Sequence, residues 1–474
     1  MAFLTGEDIR ISFSLFCCVY GIGTLGMPGN YAKAGYLWAT LALLFMATVN
    51  VYATWCISQV MLIAPKHVKT FGDIGGWCMG GFGRWATLIS QMAVCTMVPI
   101  VFLVLGGTLL TTLFPDSYED TTWIMIMGLT LLPVCLVPTM KEGAGLAAAG
   151  CIGTLVADGF ALYLLVTNMN KNNANNLSPP SPALSFDSVA TVFGNLALAY
   201  GAGVVIPTLQ REHSDPTRMP RIIVFTLTLV SFCFLLVSIT GVSTVGCQIP
   251  GNLLFAVAGT SLGFHASRGG IILTFLCMQM HITIAFSVVM FPAFFIAERL
   301  LFGLHKTAHH EPPTSVAMAE GLYRDVEAGS KVDGMLEYIP EKDEADAYKA
   351  PGAYMKAAAL RITMIIICII IAIAEKDHFG DLLDFVGASS NAMCCMILPI
   401  MFYLKTFGRS ISLAEKSFAT ICILVSLTLS IYVSVKTGKA LFSATEANHG
   451  IVFPSCPPQY QKVVYTNTTY YKSH

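Results

Sequence analysis

Apolar runs long enough to cross a lipid bilayer recur along almost the entire chain, and this pattern leaves few folds open. About eleven can be placed, at roughly 9–33, 36–64, 84–114, 121–138, 143–168, 187–210, 221–245, 269–299, 357–374, 380–404 and 413–435. In hydrocarbon every backbone polar group needs an internal partner, and runs of this length suit helices rather than barrel strands. The expectation is an all-α polytopic membrane protein with about eleven transmembrane helices. A mean hydropathy of +0.67 and a charged fraction of 12% agree with it. The formal net charge of −1, with no basic cluster, gives no sign of a nucleic-acid partner; the lipid bilayer is the expected surrounding. The 15 cysteines include no CxxC pair and lie mostly inside apolar runs, where a thiol behaves as a small hydrophobe, so no metal site is expected.

The first run is interrupted. Gly21-Ile22-Gly23-Thr24-Leu25-Gly26-Met27-Pro28 places three glycines and a proline at mid-depth. The glycines spell G-x-G-x-x-G, but a dinucleotide loop needs a strand before it and an amphipathic helix after it. Here both flanks, Ser12 to Tyr20 and Ala32 to Val51, are of membrane-grade apolarity, which argues against that reading. The alternative is a transmembrane helix that comes apart midway, because glycine and proline weaken the helical ladder and release backbone groups. Such backbone survives at membrane depth only where it is buried in protein or lines a cavity.

The sixth run repeats the feature in Ala199-Tyr200-Gly201-Ala202-Gly203-Val204-Val205-Ile206-Pro207. Five spans separate the two breaks, and an odd-numbered repeat reverses its orientation in the bilayer. Residues 9–168 and 187–404 then read as inverted halves, with an extra helix at 413–435 and the transmembrane domain closing at 435. Paired breaks at corresponding positions point to a central binding site. Helix N-termini present N–H groups to a carboxylate and unwound carbonyls suit an ammonium, so a zwitterion fits both. The competing reading, small residues that merely let helices pack closely, explains one break better than two. Gly21, Gly23, Thr24, Leu25 and Gly26, with Tyr200, Gly201 and Gly203, are the expected substrate-binding residues.

Orientation follows from the basic residues. With the N-terminus cytoplasmic, most of the 27 Lys and Arg fall inside, including Arg10, Lys66, Lys69, Arg84, Lys141, Arg211, Arg218, Arg221, Lys405, Arg409 and Lys416. The sequons at Asn176 and Asn467 then both lie outside as glycosylation candidates, the second in an extracytoplasmic tail over 436–474. Residues 303–356 read as a flexible cytoplasmic loop that tethers the bundles. Cys247 and Cys456 are the clearest external cysteines; a disulfide between them and two unpaired thiols both remain open.

The motifs resemble those of the amino acid/auxin permease family of amino acid transporters over most of the chain. The first-span stretch is similar to that family's G-x-G-x-L-x-x-P. The sixth-span stretch, continued by Thr208-Leu209-Gln210-Arg211-Glu212, Pro216 and Pro220, is similar to its sixth-span signature. His281, Pro292 and Glu298 keep the eighth-span spacing of plant-type members. Phe379-Gly380-Asp381-Leu382-Leu383, with Gly387 and Pro399, resembles the ninth-loop and tenth-span pattern. The resemblance implies a LeuT-type fold of five-plus-five inverted repeats with helices 1 and 6 broken, one extra helix, and secondary active transport of amino acids. Many members carry a histidine where this chain has Gly203, so no role of that histidine carries over.

Ionisable groups at membrane depth cost roughly 2.5–3.5 kcal/mol each on insertion scales and are functional hypotheses by default. Asp158 suits a coupling proton or a nearby cation site, against the plainer reading of a carboxyl bonded to a neighbouring helix. His281 is its rival for the proton. Thr283 and Ser287, four apart, share a helical face; in the LeuT-type arrangement, eighth-span hydroxyls and first-span carbonyls make a sodium site. Glu298 with Arg299 reads as an interfacial pair or gate. Gln91, Thr96, Asn50, Ser389, Ser390 and Asn391 are further polar groups at depth, while Asp381 and Asp384 read as solvated near the outside. No cofactor is expected beyond a coupling ion, H⁺ or Na⁺. The expected substrate is a small molecule, an amino acid whose identity the sequence leaves open; the expected membrane is plasma or vacuolar/lysosomal, and oligomeric state is not legible. An amino acid sensor on the same scaffold is the alternative; a membrane enzyme is disfavoured, since no catalytic constellation appears.

Overall fold

The computed structural model describes residues 4–137, 143–304, 348–443 and 451–473, with the side chains of 143–147 and 473 outside the described set. The elements are helical, and no strand occurs among the described residues. Helix α1, Gly6–Val19, begins in a capping box. The Thr5 hydroxyl accepts from the Asp8 N–H, and the Asp8 carboxylate accepts from the Thr5 N–H. A single tight turn, Ile22–Gly26, leads into α2, Met27–Ile63, which starts with Pro28 in its first turn and kinks at Gly35, φ 70°. α3, Phe71–Leu113, starts earlier than the apolar run suggests, because Thr70 and Asp73 form a second capping box, and it kinks at Gly80.

α4 is Asp120–Cys135, α5 Gly143–Asn172, α6 Phe186–Ala199, α7 Ile206–Glu212, α8 Met219–Val245, α9 Leu253–Ala258 and α10 Arg268–Phe302. α11, Ala353–Ala374, and α12, Phe379–Val386, follow. Two consecutive π-helical turns, Gly387–Asn391 and Met393–Ile397, join α12 to α13, Leu398–Phe407. α14, Leu413–Leu441, runs six residues beyond the expected end of the last span at 435.

Nine helices among the described residues are long and apolar enough to cross a membrane. α4 is apolar but has only 16 residues, and the expected first two spans are carried by α1 and the continuous run Ile22–Ile63. The expected loop over 303–356 falls mainly outside the described residues, as does Lys141.

Polar contacts gather the connections at two ends. At one, Arg211 donates to the carbonyls of Ala64, Pro65 and Val68 in the α2–α3 connection. At the same end Asp8 of α1 is paired with Arg218 (2.6 Å) and His213 (2.9 Å), just beyond α7. At the other, the tail 451–473 lies on the α5–α6 and α8–α10 connections and is joined to the latter by a Cys247–Cys456 disulfide.

Candidate functional site

The two interruptions meet in the middle of the bundle. α1 stops at Val19, Tyr20 and Gly21 are extended, and the tight turn follows. α6 stops at Ala199, and Tyr200 to Val205 turn before α7 begins. Gly23 is pressed onto the end of α6: a Cβ there would stand 2.6 Å from that of Ala199. Gly203 is equally hemmed in, with the Cys395 Cα 2.9 Å from where a Cβ would lie, while Gly201 has ordinary room. Helix ends leave backbone groups without intrahelical partners. Here the turn between α1 and α2 is pressed onto the end of α6, with both breaks inside protein.

The side chains of the breaks are largely spent on holding their shape. Thr24 is buried and its hydroxyl donates to the Gly21 carbonyl at 3.0 Å; Leu25 is buried. Tyr200 is buried with its hydroxyl paired to Ser231 of α8 at 2.6 Å, so the expected site residue presents backbone rather than phenol. Gly26 faces the Asn195 amide at a distance that admits no side chain. Asn391, in the first π-helical turn, donates to the Ala197 and Leu198 carbonyls at the end of α6. The π geometry thus aims an amide at carbonyls that α6 leaves unpaired.

Two titratable residues flank the first break. Asp158 of α5 is buried and accepts from the Tyr20 hydroxyl at 3.0 Å; its second oxygen has no hydrogen-bond partner among the described residues. His281 of α10 is buried, with Nδ1 3.1 Å from the Gly150 carbonyl of α5. That bond makes Nδ1 the proton-bearing nitrogen and leaves Nε2 an acceptor. Nε2 lies against Gly21, 3.2 Å from where a Cβ would be. The Tyr20 contact was not read from the sequence, although its place next to Gly21 was the available signal.

Other expected residues lie elsewhere. Ser287 is buried, but Thr283 is exposed on the outer face of α10 with its hydroxyl bonded back to the Gln279 carbonyl at 2.8 Å. Four residues advance a helix by about 40° beyond a full turn, enough here to put the pair in different surroundings. Glu298 is fully buried and pairs not with Arg299 but with Arg361 of α11 at 2.7 Å, with the Tyr348 hydroxyl also at 2.7 Å. Arg361 also donates to the Cys135 and Val137 carbonyls at the end of α4. This is a tie among three helices rather than an interfacial pair.

Asp384 is buried, not solvated, and pairs with Lys33 of α2 at 3.5 Å, whereas Asp381 is half-exposed. Lys33, Asp384, Asn30, Asn195, Asn252 and Phe255, with Gly26 among them, line a cavity of about 180 Å³. Sequence reasoning missed it because its walls come from four separate segments. Asn176 and Asn467 are both exposed, the first in the α5–α6 connection and the second in the tail.

A family model described as "Transmembrane amino acid transporter protein" matches residues 7–438. The chain is 24% identical to "Amino acid transporter AVT1J" of Arabidopsis thaliana, across 90% of this chain and 89% of that one. It is 22% identical to "Vacuolar amino acid transporter 7" of Saccharomyces cerevisiae, across 61% and 58% respectively. Among solved structures it resembles that of MhsT in complex with L-phenylalanine, with TM-score 0.55 and 11% identity over 90% of this chain and 98% of that one, a likeness of LeuT-type fold alone. With a match that takes in both broken helices and all but the tail, this multi-pass membrane protein belongs to the transmembrane amino acid transporter family.

Proposed function

We propose that the protein is a secondary active transporter that carries an amino acid by proton-coupled symport, through alternating access to a site between the two breaks. The observation that carries this reading is the buried meeting of the first and sixth helices' unwound segments. The N-terminus of α2 suits a carboxylate, and the carbonyl ends of α1 and α6 suit an ammonium. The names of the similar proteins supply the substrate class. Asp158 and His281 support a proton as coupling ion, since each keeps one buried acceptor atom beside the first break. A proton on either neutralises or adds charge where the substrate's own charges enter.

The bias of the basic residues supports a cytoplasmic start for α1. The disulfide at the opposite end agrees, because such bonds persist in oxidising compartments outside the cytosol. Asp8–Arg218 and Lys33–Asp384 then stand as ties on the inner and outer sides of the site. The membrane is that of the cell surface or of a vacuole or lysosome. The test is uptake of labelled amino acids into proteoliposomes under imposed gradients. Uptake that rises with an inward proton gradient and ignores sodium supports the reading. Sodium dependence would replace the proton by Na⁺, and no uptake of any amino acid would remove transport itself.

A further inference from the structure

The tail 451–473 lies on the α5–α6 connection and on residues 246–263 between α8 and α10, the segment that supplies Asn252 and Phe255 to the cavity wall. We propose that the tail is a clamp on the wall of that cavity, holding residues 246–263 at both ends so that Asn252 and Phe255 stay in place beside Lys33 and Asp384. At the near end Cys247 is bonded to Cys456. Beside it Gln248 is fully buried and its amide is saturated by the tail. Its Nε2 donates to the Tyr460 carbonyl (2.8 Å) and the Val463 carbonyl (2.9 Å), and its Oε1 accepts from the Tyr465 N–H (2.8 Å).

At the far end Asn172 of α5 donates both to the Leu262 carbonyl and to the Thr466 hydroxyl, each at 3.1 Å. The Tyr465 hydroxyl also reaches the Thr244 carbonyl at 3.1 Å, at the close of α8. Between these anchors lies the wall. Asn252 caps α9 through the Leu254 N–H at 2.9 Å, and its Nδ2 is buried at the cavity with no partner among the described residues. A connection fixed at one end swings; fixed at both, it opens only when a tie is released. Wider exposure of the Lys33–Asp384 pair therefore needs movement of a wall that the tail restrains. That this restraint governs transport rests on the reading above; the restraint itself does not.

The experiment uses the full chain in lipid nanodiscs with Phe255→Cys as a reporter, and follows its labelling by a water-soluble methanethiosulfonate against the same protein without the reporter. Two releases are compared: Cys247→Ser with Cys456→Ser, and Gln248→Ala with the disulfide intact. The expected result is roughly tenfold faster labelling in either release, the scale of losing one or two restraining contacts, together with a raised KM for uptake. Labelling at the parent rate in folded protein, whatever the change in thermal stability, would overturn the clamp and leave the tail a mere brace. If the double cysteine variant fails to fold, Gln248→Ala reads the same quantity. Because labelling needs no transport, absence of uptake in every variant would count against the transporter and not against the clamp.

Discussion

Gly23 sets how closely the two broken helices approach. Any side chain there must displace Ala199 or the turn that carries it. Gly23→Val is expected to abolish uptake while membrane insertion and expression persist, whereas Gly201→Ala, with ordinary space around it, should keep most of the activity. Wild-type uptake by Gly23→Val would show that the contact is not part of the site. Asp158→Asn and His281→Gln separate coupling from binding. The variant that removes the coupling group is expected to lose at least about tenfold of gradient-driven uptake yet retain exchange of preloaded amino acid, and unchanged gradient dependence in both would exclude them as proton carriers. The breaks were legible because glycine and proline act on the local ladder. The fate of Thr283 was not, because hydroxyl spacing along a helix does not say which face meets lipid. Asp384 misled for a similar reason: its burial comes from Lys33 and Gly194, far away in sequence.

Among the elements, α1 is held by charge at its start. Arg218 holds the Asp8 carboxyl well below the usual carboxylate range, with the Thr5 and His213 hydrogen bonds adding to it. The Asp215 N–H donates to His213 Nδ1 at 2.9 Å, so Nε2–H is the nitrogen that faces Asp8. A depressed carboxylate stabilises above its ordinary value and loses that contribution only as pH falls through the lowered one. Asp8→Asn should therefore lower the melting temperature equally at pH 5 and pH 8, and the wild-type advantage should fade only below about pH 4. An advantage that fades between pH 5 and 8 would point to another group. The same variant should favour the inward-open form, read as faster labelling of α1 from the cytoplasmic side. Arg361→Leu removes the cation that neutralises the buried Glu298 carboxylate. About 3–5 kcal/mol of stability should be lost, visible as a large drop in melting temperature; a Glu298→Leu, Arg361→Leu pair should recover part of it. Most spans could be read from apolar length, since burying helices in lipid is a property of each run. The α11 partner of Glu298 could not, because 62 residues lie between them, most of them outside the described set.

For the whole molecule, closure at both ends is the condition under which a site can be exposed to one side at a time. One ion pair joins α1 to the α7–α8 connection and another joins α2 to α12; on the transport reading proposed above, each would part before its side opens. That the first and sixth helices would meet followed from their five-span offset; that the tail would return onto the α8–α10 connection did not, because its anchors are single side chains on remote connections. The most direct measurement is a cryo-EM map of the protein in nanodiscs, saturated with an amino acid it takes up. The expected result is density for the ligand between Gly21–Gly26 and Tyr200–Gly203, its carboxylate toward the start of α2 and its ammonium toward the carbonyls that close α1 and α6. Ligand density elsewhere, with those two segments packed together and empty, would contradict it.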